Sequence, residues 1–274
     1  MATRVTNDPA EFRTTVFPFL ERDPVLHTVI LSNVDQRAGG DHQPEAGEGV
    51  YVSVHDDTGQ VVGAAMRTPG RGVYLGGLAE QYAAEVAEAY AEHVPDLPGV
   101  GGARPAADAF VQRWTELRGA TATESRSTRL HRLEELVRLQ ADGGPRLATE
   151  DEAQLAAEWV AIDFGDELRD TLAWAEGKIK QGALWFWEVD GMTVSLVAHQ
   201  LPVFGVCRVG PVYTPDEFRR NGFGGALTAY VSGEILAAGH QACLYTDLAN
   251  PTSNKIYRLA GYRPVADFVE LEFG

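Results

Sequence analysis

The stretch Val209–Leu227, VGPVYTPDEFRRNGFGGAL, concentrates the residue types best suited to chemistry in this chain. A β-rich run ends at Thr214-Pro215, and Arg219-Arg220-Asn221-Gly222-Phe223-Gly224-Gly225 then leads into a helical pattern. Glycines leave successive backbone N–H groups uncovered and tolerate unusual φ, so such a loop forms an anion nest. At a helix N-terminus the same groups add to the dipole, which favours a phosphate. Arg219 and Arg220 add positive charge in a chain whose formal net charge is −16. The pattern is that of a diphosphate cradle. It is not a Walker A loop, because no G-K-[ST] follows, nor a dinucleotide fingerprint, because the third glycine position is Leu227.

Two flanks narrow the class of ligand. Arg219-x-x-Gly222-x-Gly224 resembles the Q/R-x-x-G-x-G/A loop of the GNAT superfamily of acyl-CoA-dependent N-acyltransferases. Val212-Tyr213-Thr214-Pro215 before it is similar to the end of that family's fourth strand. Downstream, Asn250-Pro-Thr-Ser253-Asn254-Lys-Ile-Tyr257-Arg-Leu-Ala-Gly261-Tyr262 resembles the N-x-x-[AS]-x-x-[LI]-Y-x-x-x-G-[FY] segment. The strand-like ACLYTDL lies between, and the resemblance covers residues 146–274.

The resemblance implies transfer of an acetyl group from acetyl-CoA, as cosubstrate, to a primary amine in a direct ternary complex, with no metal. Backbone groups of Val212, Tyr213 and Thr214 would pair with the pantetheine arm. Amides of Arg219, Arg220, Asn221, Gly222, Phe223, Gly224 and Gly225 would hold the pyrophosphate. Asn250, with Ser253 or Asn254, would bond the pantetheine, and Tyr257 would be the general acid that protonates the departing thiolate. An acceptor amine with a pKa near 10.4 must lose a proton before it attacks. Asp247 is the expected base; Glu188, the Asp163/Asp166 pair and His199 are the other candidates. Two rivals stand beside this reading: a non-catalytic acyl-CoA-binding module, and a tandem acyltransferase similar to mycothiol synthase.

These residues need elements to position them. In the second half the patterns predict ααβββαβαβ(β), with helices at 150–161 and 165–180, a meander over 184–214, a helix at 218–238, a strand at 242–247, a helix at 252–259, and the terminal strands YRPVA and DFVELEF. A meander leading into one βαβ crossover gives a mixed sheet. The first half repeats the rhythm: helices at 9–20 and 24–34, a loop at 36–49, a hairpin around Asp57 and Gly59, a short strand at 72–77, and helices at 79–93 and 105–118 joined by a glycine- and proline-rich connection. The LHRLEELVRLQ segment, 130–140, reads as helical. The expected fold is therefore α+β, with a degenerate GNAT-like domain at 1–140, a linker at 141–145 and a GNAT domain at 146–274. Residues 78–83, LAEQYA, carry neither glycine nor arginine, so the first half is expected to hold no second cradle.

Composition sets the outer limits. The chain has 274 residues, 45% hydrophobic and 23% charged, which favours two globular domains over disorder. An excess of 39 acidic over 23 basic residues repels phosphate backbones and anionic membranes, so nucleic-acid and membrane partners are not expected. No apolar run approaches the roughly 20 residues of a membrane span, and the N-terminus does not read as a signal peptide. The two cysteines, Cys207 and Cys243, sit in apolar runs outside any metal or disulfide spacing. A cytoplasmic setting is expected.

Overall fold

Both halves of the chain run through the same ten elements in the same order, β-α-α-β-β-β-α-β-α-β, in the computed structural model, which describes residues 1–40, 47–164 and 170–274. The first series is β1 (Ala2–Thr6), α1 (Pro9–Leu20), α2 (Thr28–Ala38), β2 (Val50–His55), β3 (Val61–Arg67), β4 (Val73–Tyr74), α3 (Ala83–His93), β5 (Gly99–Ala103), α4 (Arg104–Arg118) and β6 (Ala122–Leu133). The second is β7 (Gly144–Leu147), α5 (Ala153–Phe164), α6 (Thr171–Lys180), β8 (Leu184–Val189), β9 (Met192–His199), β10 (Val206–Tyr213), α7 (Phe223–Ala237), β11 (Gln241–Asp247), α8 (Pro251–Leu259) and β12 (Tyr262–Phe273). The fold class is α+β with mixed sheets, as the sequence predicts.

The chain divides into two units. Unit 1 is Met1–Leu130 with Asp247–Ala249 and Val265–Gly274; unit 2 is His131–Thr246 with Asn250–Pro264. The expected linker at 141–145 does not mark this division. The change falls inside β6, while Gly144 and Pro145 are strand residues paired with Glu188 and Trp187 of β8. The chain also returns to unit 1 at its end, where Phe268–Glu272 of β12 pair antiparallel with Gly99–Ala103 of β5.

Three further expectations need correction. β5, GVGGA, reads as a glycine-rich connection but is a buried strand. Its glycines answer close neighbours, since a Cβ on Gly99 would sit 2.4 Å from the Leu271 carbonyl oxygen. The LHRLEELVRLQ segment is not a helix: it ends β6 and continues as an extended strap. Glu134 and Val137 donate backbone hydrogen bonds to Gly261 and Ala260. Its leucines follow the surface of α7, with Leu136 against Gly233 and Leu139 against Gly225, which imitates helical spacing. YRPVA and DFVELEF form one strand, β12, rather than a pair.

In unit 2 the strands run in the order β11-β10-β9-β8-β7, with β10 parallel to β11 and the other pairs antiparallel. Side chains alternate across a strand, so each face has its own core. Cys207 and Val209 of β10 join Leu227 and Val231 of α7 and Leu244 of β11 on one face. Phe186 and Leu196 join Ala156 and Val160 of α5 on the other.

One buried-edge ion cluster fixes the start of unit 2. Arg146 places Nε 2.6 Å from Glu188 and both terminal nitrogens 2.7 Å from Glu152, while its guanidinium lies over Phe186. The hydrogen bonds from Arg146 hold the Glu152 carboxyl down at about 2, against an ordinary 4.5. A depressed carboxylate contributes stability above its unfolded pKa, and that contribution disappears as pH falls through the folded one. Glu152→Gln is therefore expected to lower the melting temperature at pH 7, by ~1–3 kcal/mol of stability. The difference from the parent should shrink between pH 4.5 and 2. Thermal melts of both proteins across that range test it; a pH-independent difference would reject the cluster's role.

Candidate active site

The site begins where a ladder stops. β10 and β11 pair in parallel from Val206–Gln241 to Val209–Leu244, and their register ends there. On its other side β10 stays with β9, but Val209 pairs with His199 and Val212 with Val197, so β10 carries one extra residue at this point. A bulge bends its strand and ends local pairing. Gly210 has φ 138°, which favours glycine, and Pro211 has no N–H to donate. From Gly210 onward β10 keeps one neighbour and leaves the other.

The loop that follows is held by its own side chains. Ser195 of β9 donates to the Tyr213 carbonyl at 2.9 Å, and its hydroxyl lies 2.9 Å from that of Thr214. Arg219 donates from Nε to the Thr214 carbonyl at 2.9 Å and pairs with Asp216 at 2.6 Å. Asn221 donates to the Phe218 carbonyl at 3.1 Å. Arg219 is thus a clamp on the loop. Arg220, exposed and with φ 70°, makes no ion pair among the described residues.

The cradle itself lies at the first turn of α7. Gly222 is its N-cap, with φ 85° and no capping side chain, and the first helical bond runs from Ala226 N–H to the Gly222 carbonyl at 2.9 Å. The amides of Phe223, Gly224 and Gly225 therefore precede the helical ladder. No acidic residue occupies the first turn. These are the features of an anion site at a helix start.

The structure gives Gly224 and Gly225 a second reason to be glycine. A Cβ on Gly224 would lie 3.0 Å from Thr214 Oγ1, and one on Gly225 would lie 2.8 Å from Ile256 Cγ2. The first faces the sheet and the second faces α8, so both allow close packing of α7. Reading these glycines only as bare amides misses that role, which spacing alone does not show.

The downstream motif builds α8. Asn250 caps it, accepting from the Ser253 amide at 3.1 Å through its side-chain oxygen. Asn254 accepts from the Thr246 hydroxyl at 2.7 Å and donates to the Asn250 carbonyl at 2.8 Å. Asn250 thus keeps its side-chain NH2, while Asn254 uses both ends of its amide internally. Tyr257 is buried, with the side chain of Thr228 of α7 beside its phenol. Thr228 Oγ1 donates in turn to the Gly224 carbonyl at 2.7 Å. Burial pushes the Tyr257 phenol up to about 12, so it holds its proton at neutral pH. Nothing in the sequence points to Thr228.

Among the described residues, the candidate bases have partners of their own. Asp247 accepts from the Ala249 amide at 2.7 Å and lies 4.0 Å from Arg126, which fits a turn cap. Glu188 belongs to the Arg146 cluster. His199 is largely buried, and burial lowers its pKa. Asp166 lies outside the described residues, and the side chain of Asp163 is likewise not described.

Unit 1 repeats the element order without the opening. β4 and β5 pair in parallel at Val73–Val100 and Tyr74–Gly101, and Leu75 N–H to Gly101 and Ala103 N–H to Gly76 continue the ladder at 2.7 and 2.9 Å. The first turn of α3 carries Glu85, which would repel a phosphate.

Comparison with known proteins agrees with this geometry. The family model described as FR47-like protein matches residues 189–269. A GNAT-family acetyltransferase from Colwellia psychrerythraea superposes with TM-score 0.67 at 11% identity, covering 100% of both chains. A GCN5-related N-acetyltransferase from Sphaerobacter thermophilus gives 0.63 at 17% identity, covering 100% of this chain and 95% of that one. A tandem GNAT protein from the clavulanic acid biosynthesis pathway, solved without AcCoA, gives 0.57 at 13% identity, covering 100% and 98%. No curated protein matches the sequence. The chain has the GNAT fold over its length, and the resemblance to the GNAT superfamily stands.

The packing of Gly224 makes a direct prediction. Gly224→Val should destabilise the protein before any ligand is added, by ~1–3 kcal/mol for overpacking, or roughly 2–12 °C at 2–4 °C per kcal/mol. Calorimetric melting of the ligand-free variant checks this; an unchanged transition would remove the packing role.

Proposed function

We propose that unit 2 transfers an acetyl group from acetyl-CoA to a primary amine, by direct attack within a ternary complex. One observation carries the proposal: the β10–β11 ladder ends at Val209–Leu244 beside the unladdered amides of α7. An acyl-CoA laid across this end would meet β10 backbone unpaired with β11 for its pantetheine arm and an anion nest for its diphosphate.

Each part then has a task. The amides of Gly222 to Gly225 bind the diphosphate, with Arg220 as a nearby charge. Val212, whose neighbours Tyr213 and Thr214 have carbonyls bonded to Ser195 and Arg219, presents backbone to the pantetheine. The NH2 of Asn250 is a further donor to that arm. The acceptor nitrogen forms a bond to the thioester carbon, and the C–S bond breaks. The leaving thiolate takes a proton from the Tyr257 hydroxyl, which is protonated at working pH because burial holds its pKa near 12. Because Asp247 and Glu188 are engaged elsewhere, the amine's own proton leaves to solvent.

Two measurements separate catalysis from binding alone. Free thiol released from acetyl-CoA with an amine panel supports transfer, whereas tight acetyl-CoA binding without thiol release supports a non-catalytic module. Tyr257→Phe should lower kcat by ~10²–10⁴, the range of a general acid, with the acetyl-CoA Kd within about threefold of the parent. Equal kcat in parent and variant would remove Tyr257 from the acid role. The cradle is tested from the ligand side, since Gly224 also packs: S-acetylpantetheine should bind at least ~100-fold more weakly than acetyl-CoA, from two or three lost charge-assisted hydrogen bonds.

A further inference from the structure

A basic pair without a counter-ion among the described residues lies on the other face of the same strands. Lys178 of α6 is only 5% exposed, yet its Nζ meets neutral acceptors alone: the His199 carbonyl and Gln200 Oε1, each at 2.8 Å. Arg208 of β10 has its Nη1 buried and without a hydrogen-bond partner. Among the described residues neither side chain forms an ion pair. The two residues are neighbours across the β9–β10 ladder: Gln200, which accepts from Lys178, donates its backbone N–H to the Arg208 carbonyl at 2.8 Å, and burial first, then Arg208, pulls the Lys178 amine down to about 7. Burying charge without a partner is costly, and in a chain of net charge −16 a carboxylate of its own would be an easy remedy.

Position tells what the pair is for. Cys207 and Val209 point into the core shared with α7, so Arg208 between them leaves by the opposite face, toward α5 and α6. Arg208 stands two residues before Gly210, at the last rungs of the β10–β11 ladder. A donor whose diphosphate rests on the α7 side and whose arm passes through the gap delivers its acyl group toward this opposite face. The acceptor must approach there, because the donor fills the other side. The free donors are the N–H groups of Arg208 Nη1 and the third N–H of Lys178. Two donor groups suit the two oxygens of one carboxylate; a dianionic phosphate would leave oxygens unmet.

We infer that Arg208 and Lys178 form an anion subsite that holds a carboxylate of the acceptor, so that the substrate is an amino acid or a related amine bearing a free acid. The inference rests on the acyl-transfer reading only for where the donor lies.

The test is a binding measurement, so that it does not depend on turnover. N-acetylated leucine, phenylalanine and glutamate are titrated into the full chain with CoA present, each beside the N-acetylated amine that lacks its α-carboxyl group. At least one acid is expected to bind tenfold or more tightly than its decarboxylated partner. Arg208→Gln should abolish that preference, Arg208→Lys should restore part of it, and acetyl-CoA affinity measured on the same samples reports an intact fold. Should Arg208→Gln fail to fold, Lys178→Met takes its place with the same expectation. No preference in the parent for any pair, or a preference that survives both Arg208→Gln and Lys178→Met, overturns the subsite. Thiol release with these amino acids is read separately: its absence alongside acid-selective binding rejects the transfer reaction and leaves the subsite standing.

Discussion

Everything at the candidate site depends on a ladder that ends early. Parallel strands pair through evenly spaced hydrogen bonds, and four residues of β10 accept that arrangement before Gly210 and Pro211 break it. The extra residue leaves β10 attached to β9 and detached from β11. Unit 1 supplies the contrast within the same chain. Its β4 and β5 occupy the same place in the element order, yet hydrogen bonds from Leu75 and Ala103 keep them closed. The shared topology permits an opening; local backbone chemistry decides whether there is one.

The helix that begins beside the opening serves two demands. Its first turn must present amides, which excludes a capping side chain at Gly222. It must also approach Thr214 on one side and Ile256 on the other, which crowds a Cβ at Gly224 and leaves no room for one at Gly225. The same residue type satisfies both conditions, so the loop can be both a nest and a tight joint. Arg219 is drawn into the joint: its guanidinium ties Thr214 to Asp216 instead of standing free above the nest.

The sequence makes the site legible where a backbone requirement leaves a residue signature. Glycines at a helix start, Asn250 as a cap and Tyr257 one helical face later are of this kind, and the element order of the second half follows from hydrophobic period. It misleads where tertiary contact overrides local preference. Glycines in β5 look like a loop because nothing local records that Leu271 lies against Gly99. Leucines at 133, 136 and 139 look helical because α7 beneath them is a helix. The partners of Asp247 and Glu188 are equally invisible: Arg126 and Arg146 are 121 and 42 residues away in the chain, and only the fold brings them near. A carboxylate's type and its place at a strand end thus suggested a base, while its neighbours make it a cap or an ion-pair partner.

Thr228 shows how the candidate cradle and Tyr257 come to share one piece of structure. Its hydroxyl donates to the Gly224 carbonyl at 2.7 Å and stands beside the buried Tyr257 phenol. Ser232 repeats the pattern one turn further along, bonded to the Thr228 carbonyl at 2.6 Å and lying 2.7 Å from the Tyr262 hydroxyl. Two hydroxyls four residues apart lie on one helix face, which is the face that receives both tyrosines. An apolar side chain at Ser232 would leave the buried Tyr262 phenol without its partner, at ~1–3 kcal/mol. The polar residues inside this otherwise apolar helix thus tie its first turn and Tyr262 of β12 to one face, against which the Tyr257 ring also packs.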